Sequence, residues 1–104
     1  MSKINLTITG CMGRMGQQLI KSAKKDKKFK IISLTENKVL NKKIYGFNIE
    51  SNSEYAFKKT DIIIDFTIPK CTFEVLRFAV KQKKRLIIGT TGFSKKEENI
   101  IKNF

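Results

Sequence analysis

Three glycines, Gly10, Gly13 and Gly16, form a G-x-x-G-x-x-G array between an apolar run, Ile4-Asn5-Leu6-Thr7-Ile8-Thr9, and an amphipathic stretch starting at Arg14. A turn this rich in glycine, set between a strand and a helix, lets backbone approach a ligand closely and leaves the first N–H groups of the helix facing outward. Twenty residues beyond Gly16, at the end of the next apolar run, stands Glu36. Strand, glycine turn, helix, strand and acid is the layout that grips a dinucleotide, with pyrophosphate at the helix N-terminus and ribose hydroxyls donating to the acid. Gly10 is expected to make the tight turn, Gly13 to admit the pyrophosphate, and Gly16 to let helix and strand pack closely. The ligand implied is NADH or NADPH.

The rest of the chain alternates in the same way. Residues 3–9 read as a strand and 14–26 as a helix, with Met15, Leu19, Ser22 and Ala23 on its apolar face. Phe29 to Thr35 reads as a second strand. Residues 37–50 are the least patterned, with a turn expected at Gly46 and a short strand at Phe47-Asn48-Ile49. Ser51 and Glu54 have capping-box spacing ahead of a short helix containing Tyr55, Ala56 and Phe57. Asp61 to Thr67 reads as a strand whose consecutive isoleucines suit burial on both faces of a parallel sheet. Pro69 suits the first turn of a helix that would bury Phe73, Leu76, Ala79 and Val80. Arg85 to Ile88 is a further strand. After Gly89-Thr90-Thr91-Gly92, Ser94 and Glu97 repeat the capping-box spacing before a helix through Ile100, Ile101 and Phe104. Strands alternating with helices imply an α/β, Rossmann-like, doubly wound parallel sheet with helices on both faces. With 104 residues ending after a helix, the sheet is expected to be incomplete at its C-terminal side, leaving an unpaired edge.

Four distinctive segments end strands and would converge on one edge of such a sheet, where open α/β folds bind ligands. They are Gly10 to Gly16, Glu36-Asn37-Lys38, Phe66-Thr67-Ile68-Pro69 and Gly89 to Gly92. Glu36 suits a free ribose 2′-hydroxyl and repels a 2′-phosphate, which Lys38 would partly offset, so NADH preference with some NADPH tolerance is expected. Arg14 at the helix start is a candidate phosphate ligand. Thr90 and Thr91 offer hydroxyls and N–H groups at a second strand end. Asp65, among Ile62-Ile63-Ile64 and Phe66, is expected to satisfy backbone groups rather than act as an acid.

Composition narrows the chemistry. There is no histidine, which removes histidine bases and histidine metal sites, and Cys11 and Cys71 are too few for a disulfide scaffold or zinc cage. No apolar run approaches membrane-spanning length and no signal peptide is evident, so a cytoplasmic location is the default. The net charge of +13 is spread along the whole chain without a nucleic-acid-reading motif and is read as a solvated surface, with no specific nucleic-acid partner. Two rival readings stay open on the residues alone: a module for coenzyme A or another amino-acid dehydrogenase, and a non-enzymatic basic domain binding nucleic acid through its lysines.

Taken together, Ile8-Thr9-Gly10-Cys11-Met12-Gly13-Arg14-Met15-Gly16, Ile64-Asp65-Phe66-Thr67-Ile68-Pro69 and Ile88-Gly89-Thr90-Thr91-Gly92-Phe93 resemble the dihydrodipicolinate reductase family of bacterial lysine biosynthesis. The resemblance implies an NAD(P)H-dependent reduction of 4-hydroxy-tetrahydrodipicolinate to tetrahydrodipicolinate. It places Gly10, Cys11, Met12, Gly13, Arg14 and Met15 around the pyrophosphate, and Glu36 and Asn37 at the adenosine ribose. Gly89, Thr90 and Thr91 fall at the nicotinamide, with Thr91 also near substrate. Where members that accept NADPH often carry an arginine, this chain has Asn37. Where the family commonly has an arginine after D-F-T, it has Ile68. The resemblance further implies that residues 1–104 are a truncated cofactor-binding domain. Catalytic residues and the surface that builds a homotetramer would lie in a C-terminal substrate domain, and the 104 residues alone are expected to be inactive.

Overall fold

The computed structural model describes residues 3–36, 40–90 and 93–102. Its elements run β1 (Ile4–Thr9), α1 (Arg14–Lys25), β2 (Phe29–Glu36), β3 (Leu40–Ile44), β4 (Phe47–Ser51), α2 (Glu54–Phe57), β5 (Ile62–Asp65), α3 (Pro69–Lys81), β6 (Arg85–Ile88) and α4 (Lys95–Lys102). The strands form one sheet in the order β3-β4-β2-β1-β5-β6. All neighbours pair in parallel except β3 with β4. The expected doubly wound α/β architecture is therefore present, with β6 at one edge and Ile87 on it 54% exposed.

Strand periodicity sorts side chains between two layers. Leu6, Ile8, Leu34 and Ile49 pack under Ile20 and Ala23 of α1, with Ile62 and Ile64 against them. Ile63, between those two, joins Ala56, Phe57, Val75 and Ala79 on the other face, under α2 and α3. On that second face β1 and β2 carry hydroxyls instead of apolar groups. Thr7 bonds Ser33 at 2.7 Å and Thr60 at 2.8 Å, Ser33 donates to the Ala56 carbonyl, and Thr35 donates to Asn52 Oδ1. The buried hydroxyls are thus paired with one another, with Asn52 or with backbone, while among the described residues Asn52 Nδ2 is buried without a partner.

Several expectations are corrected. The buried stripe of α1 is Gly16, Ile20 and Ala23, whereas Met15 is 52% exposed and Ser22 lies outside. The cause is the close approach at Gly16, where a Cβ would stand 2.2 Å from the Gly10 carbonyl oxygen, so the helix turns this glycine inward. In α3 the buried residues are Thr72, Val75, Leu76 and Ala79, with Val80 exposed and Phe73 half-buried. The cap of α2 is Ser53, whose hydroxyl accepts from Ala56 N–H at 3.0 Å, because Ser51 is still pairing in β4 opposite Glu36. The poorly patterned stretch holds a complete β3–β4 hairpin. Its turn residues, Tyr45 and Gly46, both have positive φ, +50° and +84°, the geometry that matches the twist of two tightly joined strands. Lys24 sits 5.0 Å from the centre of the Tyr45 ring and holds the turn to α1.

Other boundaries agree. β6 has the expected limits, Pro69 begins α3, and the Ser94–Glu97 box is formed in both directions, at 2.8 and 3.1 Å. The expected β5 strand is shorter, ending at Asp65. The helix α4 buries no side chain and is tethered by the edge-on contact of Phe93 with Phe73, ring centres 6.1 Å apart. Phe104 lies outside the described residues.

Candidate functional site

The parallel strands β1, β2, β5 and β6 deliver their C-terminal ends to one edge of the sheet, and the loops that follow enclose a trough. At one end an opening of about 240 Å³ is bounded by Gly10, Gly13, Glu36, Phe66, Thr67, Ile68 and Cys71. At the other, one of about 490 Å³ is bounded by Gly13, Arg14, Met15, Gly16, Phe66, Thr67, Gly89 and Thr90. Gly13, Phe66 and Thr67 line both, so the two halves meet at the middle glycine of the array.

Each glycine has its own reason to be one. Gly10 has φ +70°, and a Cβ there would stand 2.0 Å from the Phe66 carbonyl oxygen. At Gly89 a Cβ would fall 2.1 Å from the Phe66 ring, so one residue, Phe66, sets the backbone at both strand ends. Gly13 differs: its φ of −73° suits any residue, and among the described residues a Cβ would meet only the Gly10 oxygen, at 3.4 Å. Among the described residues nothing demands a glycine there, and the space above it is open.

The helix N-terminus completes this middle section. The first bond of the α1 ladder is donated by Gln17 N–H to the Gly13 carbonyl at 3.0 Å, so the N–H groups of Arg14, Met15 and Gly16 precede it. Among the described residues no side chain caps α1, and its first turn has no acid. An anion placed over Gly13 would receive these donors, the positive end of the helix dipole and the Arg14 side chain.

Glu36 closes β2 and is half-buried. Its Oε2 accepts from Met12 N–H at 2.7 Å, tying the acid to the glycine turn. Beside it Cys11 is fully buried, and burial, with the nearby Glu36 charge, pushes its thiol up to about 12. Cys71, half-exposed in the trough wall, is also raised, by partial burial and then by Glu74 and Asp65. Neither thiol is an activated nucleophile. Brief treatment of the folded chain with iodoacetamide at pH 8 is expected to label Cys71 and spare Cys11, with both labelled after denaturation, as peptide mass spectrometry would read. Labelling of Cys11 in the folded chain would contradict its burial.

Asp65, at the end of β5, is fully buried, and the expectation of a structural role is met with different partners. Its carboxylate takes hydroxyl hydrogen bonds from Thr9, Thr67 (2.9 Å), Thr72 and Thr90 (3.0 Å). The Thr90 hydroxyl in turn accepts from Thr67 N–H at 2.9 Å.

Thus Gly10, Gly13, Arg14, Met15, Glu36, Gly89 and Thr90 come together around one trough, with Cys11 and Met12 in the turn beneath. Asn37 and Thr91 lie outside the described residues. Phe66, Thr67 and Ile68, from a segment expected at this edge though without individual roles, form the wall, and Cys71 is the wall residue that sequence reasoning misses. Thr72 had no sequence signal, because its partner Asp65 is seven residues away and reached only through the β5–α3 turn.

Residues 4–104 match the family described as dihydrodipicolinate reductase, N-terminus. The 4-hydroxy-tetrahydrodipicolinate reductase of Pelagibacter ubique is 62% identical over 104 residues, covering 100% of this chain and 40% of that protein. The enzyme of the same name from Buchnera aphidicola is 35% identical over 113 residues, covering 98% of the chain and 42% of that protein. The chain therefore spans about two fifths of the length of the curated relatives it matches. In fold it is similar to a dipicolinate-bound dihydrodipicolinate reductase from Paenisporosarcina sp. TG-14, with a TM-score of 0.77 at 24% identity over 95% of the chain and 42% of that structure. With residues 4–104 matched, the chain belongs to the dihydrodipicolinate reductase family and corresponds to its N-terminal part.

Proposed function

We propose that this chain is the cofactor-binding part of a reductase that uses NADH or NADPH to reduce 4-hydroxy-tetrahydrodipicolinate to tetrahydrodipicolinate. The observation that carries the reading is the continuous trough from Glu36 past Gly13 to Thr90, whose middle is kept clear by a glycine the fold does not itself need. The residues fit a dinucleotide laid along it. Glu36 accepts from the adenosine ribose and Ile68 offers an apolar wall beside it. The N–H groups of Arg14, Met15 and Gly16 take the pyrophosphate and Gly89 and Thr90 the nicotinamide end, with Asn37 and Thr91 assigned to the ribose and nicotinamide from the family resemblance. When bound, the dinucleotide supplies the hydride; the protein supplies orientation and a fixed field.

Apart from Thr91, substrate-handling residues and general acids belong, on this reading, to the part of the relatives' length that the chain does not span. The assembled enzyme is then a cytoplasmic homotetramer acting on a small molecule, and the 104 residues alone do not turn over substrate. Measurable reduction of authentic substrate by the isolated chain would refute the last statement. Among the described residues no helix is long and apolar enough to cross a membrane, and no cluster of candidate ligands for a metal occurs.

The test is calorimetric titration of the purified chain with NADH and NADPH at two salt concentrations, alongside Glu36→Ala. Saturable binding is expected, with NADH tighter than NADPH by about tenfold, or ~1.4 kcal/mol, because Glu36 disfavours a 2′-phosphate. Glu36→Ala should weaken NADH by a similar factor and erase the discrimination. Tighter NADPH binding at moderate salt would refute the preference. Absence of saturable binding by the folded chain would refute the dinucleotide reading.

A further inference from the structure

A fully buried carboxylate without a cation is costly to place, because desolvation of the charge is offset only by what hydrogen-bonds to it. Among the described residues the side-chain compensation around Asp65 comes from hydroxyls, and those hydroxyls belong to four different elements of the trough floor. Thr9 ends β1, Thr67 lies in the loop after β5, Thr72 is in the first turn of α3, and Thr90 follows β6. An apolar core of the same size would hold the sheet together without that cost. What it would not do is orient hydroxyls.

Each threonine hydroxyl has one proton, and the carboxylate, which only accepts, draws all four toward itself. This leaves the lone pairs of Thr90 Oγ1 to receive Thr67 N–H at 2.9 Å. The bond crosses from the loop after β5 to the strand end after β6. Thr67 lines both halves of the trough and Thr90 only the half with Gly89. By contrast, the Glu36 end is held by its own contacts, Met12 N–H to Glu36 and the Gly10 N–H to the Thr35 carbonyl at 3.0 Å, none of which touches Asp65.

We propose that Asp65 is a positioning residue for the nicotinamide end of the cofactor: its carboxylate locks Thr90 and the Thr67 backbone into one arrangement, preforming that half of the trough. The proposal rests on the dinucleotide reading given above. Changing Asp65 to Asn replaces one acceptor oxygen by an NH₂ donor. With one acceptor oxygen fewer for four hydroxyl protons the cluster rearranges, Thr72 turning to Thr90 Oγ1 2.9 Å away, and the bond from Thr67 N–H to that oxygen is no longer held in one arrangement.

The experiment compares two ligands on the same protein: NADH, and ADP-ribose, which carries every part of the dinucleotide except the nicotinamide. For Asp65→Asn, NADH is expected to bind at least about tenfold more weakly while ADP-ribose stays within about twofold of the unchanged chain. Thr72→Val, which removes a fully buried hydroxyl that bonds Asp65 and lines neither half of the trough, is expected to show the same selective loss. It carries the test alone if Asp65→Asn does not fold. A purely structural role predicts parallel losses of both ligands, or no loss of either in variants that remain folded; each of these results would overturn the proposal. If the unchanged chain binds neither ligand, the dinucleotide reading falls and the proposal falls with it. Binding of NADH by the unchanged chain, with parallel losses in the variants, removes the proposal alone.

Discussion

Replacing Gly10 by alanine is expected to cost about 3 kcal/mol or more of folding stability. Two penalties add. The residue has φ +70°, where an L side chain is disfavoured by about 1–2 kcal/mol. The new Cβ would also stand 2.0 Å from the Phe66 carbonyl oxygen and 3.1 Å from Thr67 Cγ2. Relief requires the turn to lift from the β5 loop, but Gly10 N–H and Cys11 N–H both donate to the Thr35 carbonyl, and Phe66 N–H donates to the Thr9 carbonyl at 3.3 Å. Backbone on both sides is therefore committed. Since a domain of this size has about 5–15 kcal/mol in total, the loss is large. Urea denaturation followed by circular dichroism measures it; a midpoint unchanged from the parent would show that the turn is looser than its contacts imply.

Gly13→Val is expected to do the opposite. The backbone there is extended, with φ −73° and ψ 166°, and among the described residues the only neighbour of a Cβ is the Gly10 oxygen at 3.4 Å. Stability should change by no more than about 1 kcal/mol, mostly from a poorer residue at the helix cap. Nucleotide affinity should fall by about thirtyfold or more, or ~2 kcal/mol, because the branched side chain occupies the junction of the two halves of the trough. Thermal melting and titration with NADH, run on the same preparation, separate the two effects. Retained affinity in a folded Gly13→Val chain would remove Gly13 from the binding surface. The pair Gly10 and Gly13 thus divides one motif into a position serving the fold and a position serving the ligand.

That division could be anticipated from spacing, since the first and last glycines of such an array sit against backbone and the middle one against the ligand. The alternation of strands and helices, the limits of β6 and the Ser94–Glu97 box were equally readable, because each depends on residues a few positions apart. Convergence of Gly10 to Gly16, Glu36 and Gly89-Thr90 on one edge followed from strand order and the parallel rule. Harder to read were the helix stripes. In α1 the apolar side chain of Met15 gave the stronger local pattern, yet the close approach at Gly16 turned a residue without a side chain inward. In α3 the buried partners include Thr72, a polar residue whose burial makes sense only once Asp65 is in place.

By itself, then, the amino-acid sequence determined the fold class, the glycine turn and the acid twenty residues beyond it, since backbone freedom and hydrophobic period are properties of short segments. Only the tertiary structure decided that β3 and β4 form a hairpin joined to β2 at the sheet edge, that Met12 N–H holds Glu36, and that Asp65 gathers four hydroxyls. The physical reason is that a buried polar group chooses its partners from whatever packing brings within about 3 Å. For Asp65 those partners stand at positions 9, 67, 72 and 90, brought together only when three strand ends and a helix start meet.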